Sequence, residues 1–361
     1  DLHSFPTRRS SDLWPVESYE GLIEKLRRAG LLGDSDAIRY PKKFASALLR
    51  DPVAIASCRA LNNFKPLETI VRSIWSDARE SDRRSYAVAA LAEHCYPGGV
   101  SYPIIEKAYR NAGLNNQLKY DCPLPLTYAD DGDYVLPLNP VIADRLLHML
   151  AREKQALLLE IFSMLAVALS PHVNRRATIS RTPEAKLAAR LFSAEQVARP
   201  LLGTFAGTFF SQAREAWQWN SRYWEQRALL TQAENIDLAI QYARHAVAIE
   251  EHPFPWTTLA SLLSKKLEQT SVGVDAIYGE IYEILNQVVR HETTTKAWRP
   301  TPHPYATLFH ATNILISKGG KIPPKKRDWI LQKIEFCSKV FSRDKMLNEA
   351  AERIRASIKV A

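Results

Sequence analysis

The chain has 361 residues, with 48 Lys and Arg against 39 Asp and Glu, a formal net charge of +9. Hydrophobic residues make up 46%, which excludes wholesale disorder, and 13 Gly with 21 Pro exclude a collagen-like or linker composition. Four Cys in this length exclude a disulfide framework, and size alone predicts two or three domains, each able to bury a core.

Residues 3–13, HSFPTRRSSDL, read as the translation of a short-read sequencing adapter. Residues 1–13 are therefore expected to be an artefactual, disordered start, with protein beginning near Trp14 in mid-gene. On that reading the chain is the C-terminal part of something longer. Removing 1–13 leaves the net charge unchanged, because Arg8 and Arg9 offset Asp1 and Asp12.

Residues 14–81 read as a helical linker domain. Tyr19, Leu22, Ile23 and Leu26 share one face of a helix over 19–29, which Gly30 and Gly33 can stop. Short helices follow over 41–49 and 51–61, the latter capped by Asp51 with Pro52 in its first turn. Leu67, Ile70, Val71, Ile74 and Trp75 continue the helical pattern.

Residues 82–155 differ. A helix over 82–95 ends at Pro97-Gly98-Gly99, and Ser101 is expected to cap a second over 103–111, ended by Gly113. The one clear strand signal follows. Leu124–Tyr128 and Tyr134–Leu138 flank the turn Asp130-Asp131-Gly132-Asp133, whose Gly tolerates positive φ, so a β-hairpin is predicted. Pro140 opens another helix, with Ile142, Leu146, Leu147 and Leu150 on one face. Helices, a two-stranded wing and a helix outline a winged-helix domain.

A helical connector is expected over 156–215, with breaks at Ser170-Pro171 and Thr182-Pro183. Its apolar stretch, Ala156 to Leu169, is shorter than the roughly 20 residues that span a bilayer. It reads as a buried helix, and no membrane partner is expected. The dispersed Cys and lack of an export signal point to the cytoplasm.

From residue 216 to 361 a repeat emerges. Trp224 with Arg227 and Ala228 resembles the W-x-x-L-G opening of a tetratricopeptide repeat. Trp256, Leu259 and Ala260 restate it 32 residues later. Ala239, Ala243 and Ala246 match the small positions of such a repeat's second helix, and Pro253 falls at its turn. A third copy is expected from Tyr305, Leu308 and Phe309, with its second helix over 326–341. Small residues let paired helices approach, and aromatics fill the space beside them. The fold class expected is thus mainly α: a helical linker, a winged-helix domain with a small β-hairpin, then an α-α superhelix of tetratricopeptide-like pairs with a basic C-terminal cap.

That order of modules is similar to the C-terminal part of STAND NTPases, the signalling ATPases related to NACHT and apoptotic ATPases. The segments LNNFKPLETIVRSIW (Leu61 to Trp75) and WNSRYWEQRALL (Trp219 to Leu230) resemble bacterial members of that group. The resemblance implies a sensor that biases a nucleotide switch, an antiphage-defence setting and oligomerisation on activation. The chain departs from the family in having no G-x-x-x-x-G-K-[ST]; Gly319-Gly320-Lys321 runs into Pro323-Pro324, which cannot cradle a phosphate. ATP, Mg and hydrolysis are therefore expected only in an upstream domain, and no cofactor or enzymatic activity in this chain.

The other chemistries find no support. Cys58, Cys95, Cys122 and Cys337 form no C-x-x-C pair, and His303 and His310 lack a third ligand, so no metal site is expected. There is no nucleophile elbow. Asp130, Asp131 and Asp133 lack the downstream Glu of a calcium loop. A DNA-reading role for the winged helix would rest on Lys107 and Arg110, but Glu106 and the acidic wing oppose phosphate.

Two surfaces remain. If the repeat geometry holds, Arg222, Glu225, Thr257, Ser261, His310 and Asn313 line the concave face and contact a protein partner or cue. Residues 318–361 carry +7 of the net charge, densest at Lys325, Lys326 and Arg327. This basic region reads first as a solvated face capping the repeats, since no regularly interleaved exposed aromatics accompany the charge. The alternative is a winged-helix regulator that binds nucleic acid and uses the basic C-terminus.

Overall fold

The computed structural model describes residues 16–32, 39–48, 53–108, 124, 126–128, 134–294 and 300–360. The expectations for 3–13, Trp14, Gly33, Asp51-Pro52, Arg110 to Gly113, Cys122 and the 130–133 turn lie outside these residues. Among the described residues the fold is mainly helical with one small antiparallel sheet. Two compact units divide it, with the boundary inside the stretch expected to be a connector. The first runs up to Leu191 and includes Leu201–Phe205; the second holds Phe192–Pro200 and the chain from Ala206 onward.

In the first unit, α1 (Val16–Arg28), α2 (Pro41–Leu48) and α3 (Val53–Leu61) share a small core of Tyr19, Ile23, Leu32, Ala45, Leu48 and Ala56. α4 (Leu67–Asp77) buries Leu67, Ile70, Val71 and Trp75, the face its spacing predicts. α5 (Glu80–Cys95) is different: Ser85 through Ala92 are all buried. Such a helix must be wrapped on every side, and its four alanines let neighbours approach. Its neighbours include α7 (Pro140–Glu153), α8 (Gln155–Leu169) and α10 (Pro183–Leu191).

The sheet has order β1-β3-β2, with β1 Val100–Ser101, β2 Leu126–Tyr128 and β3 Tyr134–Pro137. The hairpin pair was expected; β1 was not. Ser101 pairs with Tyr134 in the sheet instead of capping the next helix, α6 (Tyr102–Ala108). Gly99 makes the approach of β1 to β3 feasible. Its φ is +85°, and a Cβ there would lie 2.5 Å from the Val135 carbonyl oxygen. Glu93 closes the same turn by accepting from the backbone N–H groups of Gly98 and Gly99, each at 3.0 Å.

Caps set the helix starts. Asn139 accepts from the N–H groups of Val141 and Ile142 ahead of α7, and Asn174 from Ala177 in α9 (Arg175–Ser180). Thr182 accepts from Ala185 in α10, as its position before Pro183 predicts. α8 and the 3-10 turn after it are long and apolar enough to cross a membrane by composition. Leu158, Ile161, Phe162, Leu165 and Leu169 of α8 nevertheless lie in the core of the unit.

The second unit begins with a π-turn over 194–198; α11 (Arg199–Leu202) straddles the boundary, and α12 (Ala206–Trp217) follows. Phe192, Phe209, Phe210, Trp217 and Tyr223 form an aromatic cluster, with Phe192 centroids 4.8 Å from Trp217 and 5.2 Å from Phe209. Thereafter helices pack in sequence: α13 (Ser221–Thr231), α14 (Ile236–Ile249), α15 (Pro253–Gln269), α16 (Val274–Thr294), α17 (Pro302–Ser317), α18 (Pro324–Val340) and α19 (Lys345–Val360). Each contacts the next, and α13 meets α15 as α15 meets α17. Short connections make hairpins of α13 with α14, α15 with α16 and α18 with α19. The alanines at 239, 243 and 246 are fully buried on α14, and Leu259 with Ala260 is buried on α15.

Candidate functional site

The sequence places six contact candidates on α13, α15 and α17. Arg222, His310 and Asn313 are exposed, and Ser261 is half-buried. Thr257 is half-buried too, and its hydroxyl donates to the Pro253 carbonyl of its own helix at 2.7 Å. Glu225 requires a correction. It is 6% exposed, too enclosed to meet a partner directly. Its carboxylate accepts from Arg222 at 2.9 Å and from the Thr258 hydroxyl at 2.8 Å, joining α13 to α15. A buried carboxylate needs such partners, because desolvation without them costs several kcal/mol, on the order of the whole stability of a small domain.

Around Glu225 the ends of α15 and α16 gather further polar and aromatic groups. His252 precedes α15 and its ring lies 5.2 Å from that of Phe254, which is half exposed. The His291 ring of α16 is 6.2 Å from both His252 and Trp256. Burial holds His252 below the ordinary imidazole value, against the opposing pull of Glu250 and Glu225. Glu292, 3% exposed, accepts from the Thr301 hydroxyl at 3.3 Å. The cluster combines rings, half-buried imidazoles and carboxylates at one edge of the helix pairs. Such an edge can recognise a polypeptide by ring packing and hydrogen bonding.

The Glu225 link belongs to a series. Gln232 on the α13–α14 connection accepts from Lys265 of α15 at 2.6 Å, again 33 residues apart. Arg244 of α14 donates to Glu280 of α16 at 2.8 Å, 36 apart. Tyr278 of α16 and Thr312 of α17 share a buried hydrogen bond at 3.1 Å, 34 apart. Sequence reasoning missed Thr258, Gln232, Tyr278 and Thr312. The signal was available: each pair is separated by about the same interval as Trp224 and Trp256.

In the first unit, Asp144 of α7 lies 3.7 Å from His94 of α5 and 3.7 Å from His148. The His94 imidazole holds the Asp144 carboxyl below its ordinary value, against the effect of burial. Burial lowers His148, with Asp144 opposing. Among the described residues no group of three His, Cys, Asp or Glu has an arrangement that could hold a metal ion. Cys58, Cys95 and Cys337 are buried and free, and burial pushes the Cys337 thiol up to about 12, which suits packing and not nucleophilic attack.

No family model, curated protein or solved structure matches this chain.

The basic patch divides on inspection. Lys325 is exposed. Lys326 is half-buried over the Tyr282 ring, 4.4 Å from its centroid, and 3.7 Å from Glu283. Arg327 lies 3.8 Å from Asp328.

Proposed function

We propose that the second unit is a tetratricopeptide-like array that serves as the interaction and sensor module of a STAND-like signalling NTPase, with a winged-helix module in the first unit. The observation that supports it most is the series of cross-helix hydrogen bonds at separations of 33, 33, 36 and 34 residues. Three of these bonds join a helix or its connection to the next helix but one, α13 to α15 or α14 to α16, as stacked repeats require, while Tyr278–Thr312 joins consecutive helices. The three-stranded sheet with helices α5 and α6 packed against it supports the winged-helix part.

On this reading a protein cue docks along α13, α15 and α17. Arg222, Ser261, His310 and Asn313 meet it, and Glu225 holds Arg222 and α15 in place beneath. Docking changes how the array packs and biases a two-state nucleotide switch carried upstream. On this reading the test uses a longer chain that carries a P-loop domain before these residues. Replacing Arg222, Ser261, His310 and Asn313 together by Ala is expected to abolish cue-dependent stimulation of ATP hydrolysis while leaving basal hydrolysis intact. Undiminished stimulation by the cue in that variant overturns the assignment.

A further inference from the structure

Positive charge on the terminal helices follows a face, not the run Lys325-Lys326-Arg327. Lys326 is held on Tyr282 and Glu283, and Arg327, exposed beside Asp328, lies two residues and so more than half a turn round the helix from Lys325. Lys325 instead begins a stripe. Lys325, Trp329, Lys333, Phe336 and Lys339 recur on α18 at intervals of four, four, three and three residues, which align on one face of a helix. Ile330, Ile334 and Cys337 are buried on the opposite side.

The stripe alternates cation and ring. Lys325 and Lys339 are exposed; Trp329, Lys333 and Phe336 are half-buried. The Lys333 ammonium lies 5.3 Å from the Trp329 centroid, and Trp329 meets Tyr282 edge to face at 5.1 Å. At 1.5 Å rise per residue the three lysines span about 21 Å. Arg343 and Lys345 extend the exposed charge beyond α18. Asp328 and Glu335 lie to one side of the stripe, and residues 318–361 still carry +7.

We infer that this face binds single-stranded nucleic acid. The lysines are spaced to meet successive phosphates, and Trp329 offers a ring on which a base stacks as Lys333 swings from the ring to a phosphate. A duplex hides its base faces and would leave Trp329 without a role. An acidic peptide would meet the lysines but carries no base to stack on Trp329; the Phe336 ring is already packed 5.5 Å from Tyr305. The inference does not depend on the sensor reading, since the stripe lies on α18 and the cue surface on α13, α15 and α17.

The test is anisotropy of a labelled oligothymidylate against the full chain, titrated with salt. Three phosphate contacts predict a log–log salt slope of about −2. Replacing Lys325, Lys333 and Lys339 by Gln is expected to flatten that slope and abolish binding at moderate salt. Replacing Lys326 and Arg327 by Gln is expected to leave the slope nearly unchanged. Trp329→Leu, which keeps an apolar side chain against Tyr282, should weaken binding about tenfold with the slope preserved. Three results overturn the inference: no binding at low salt, a slope that follows Lys326 and Arg327, or polyglutamate that competes as well as the oligonucleotide and is indifferent to Trp329→Leu.

Discussion

The Glu225–Thr258 link is the most direct handle on how the helix pairs are held together. Thr258→Val keeps the shape of the side chain and removes its hydroxyl donor. The carboxylate left behind is 6% exposed, so water replaces the 2.8 Å bond poorly. A hydrogen bond to a charged group contributes about 1.5–3 kcal/mol, and Thr258→Val should cost about 2. Arg222 is also bonded to Glu225, but its side chain is 47% exposed, so solvent screens the pair and Arg222→Ala should cost under about 1 kcal/mol. Thr257→Val is the internal control: its hydroxyl serves only its own helix, and the cost should stay under about 0.5 kcal/mol. Urea unfolding followed by tryptophan fluorescence reads the second unit well, since Trp217, Trp219, Trp224, Trp256 and Trp329 all lie in it. A double-mutant cycle of Glu225→Gln with Thr258→Val should return a coupling of about 1 kcal/mol or more. Equal costs for Thr257→Val and Thr258→Val, or no coupling, would refute the reasoning.

Other outcomes follow from the same geometry. Burial pushes the Tyr278 phenol up to about 12, so the folded state resists ionisation that the unfolded chain undergoes near 10. Its stabilising contribution is complete below about pH 10 and is lost as pH rises toward 12, so phenolate absorbance of Tyr278 in the folded chain should appear near pH 12; titration near 10 without unfolding would contradict this. Gly99→Ala should cost about 2 kcal/mol or more, because φ is +85° and the added Cβ would meet the Val135 carbonyl at 2.5 Å. Gly279→Ala, in α16 with nothing within 4 Å, should instead stabilise by about 0.5–1 kcal/mol in the same denaturation assay. Asp144→Asn removes the charge that opposes burial at His148, so proton NMR should show the His148 ring titrating still lower; an upward shift would refute the pairing.

The helices were legible because their signals are local. Pro183 behind Thr182 and the apolar spacing of 67–75 need no distant partner to be read. β1 was hidden because two residues, Val100 and Ser101, are too few for a period, and Ser before Tyr102-Pro103 is also a plausible cap. What creates the strand is Gly99, whose close approach to Val135 depends on a residue 36 positions away. Glu225 was misplaced for a related reason. A charged residue on an amphipathic helix reads as exposed, and Arg222 together with Thr258 on α15 makes it tolerable inside. The basic run misled in the opposite sense. Density along the chain pointed to 325–327, whereas helical geometry sends Lys326 onto Tyr282 and aligns Lys325 with Trp329 and Lys333.

We propose that these helix pairs serve a nucleotide switch carried upstream. The reading frame contiguous with Trp14 tests it most directly. A G-x-x-x-x-G-K-[ST] loop followed by an acidic strand end is the predicted result. A start codon close to Trp14, with no such loop before it, would contradict the claim.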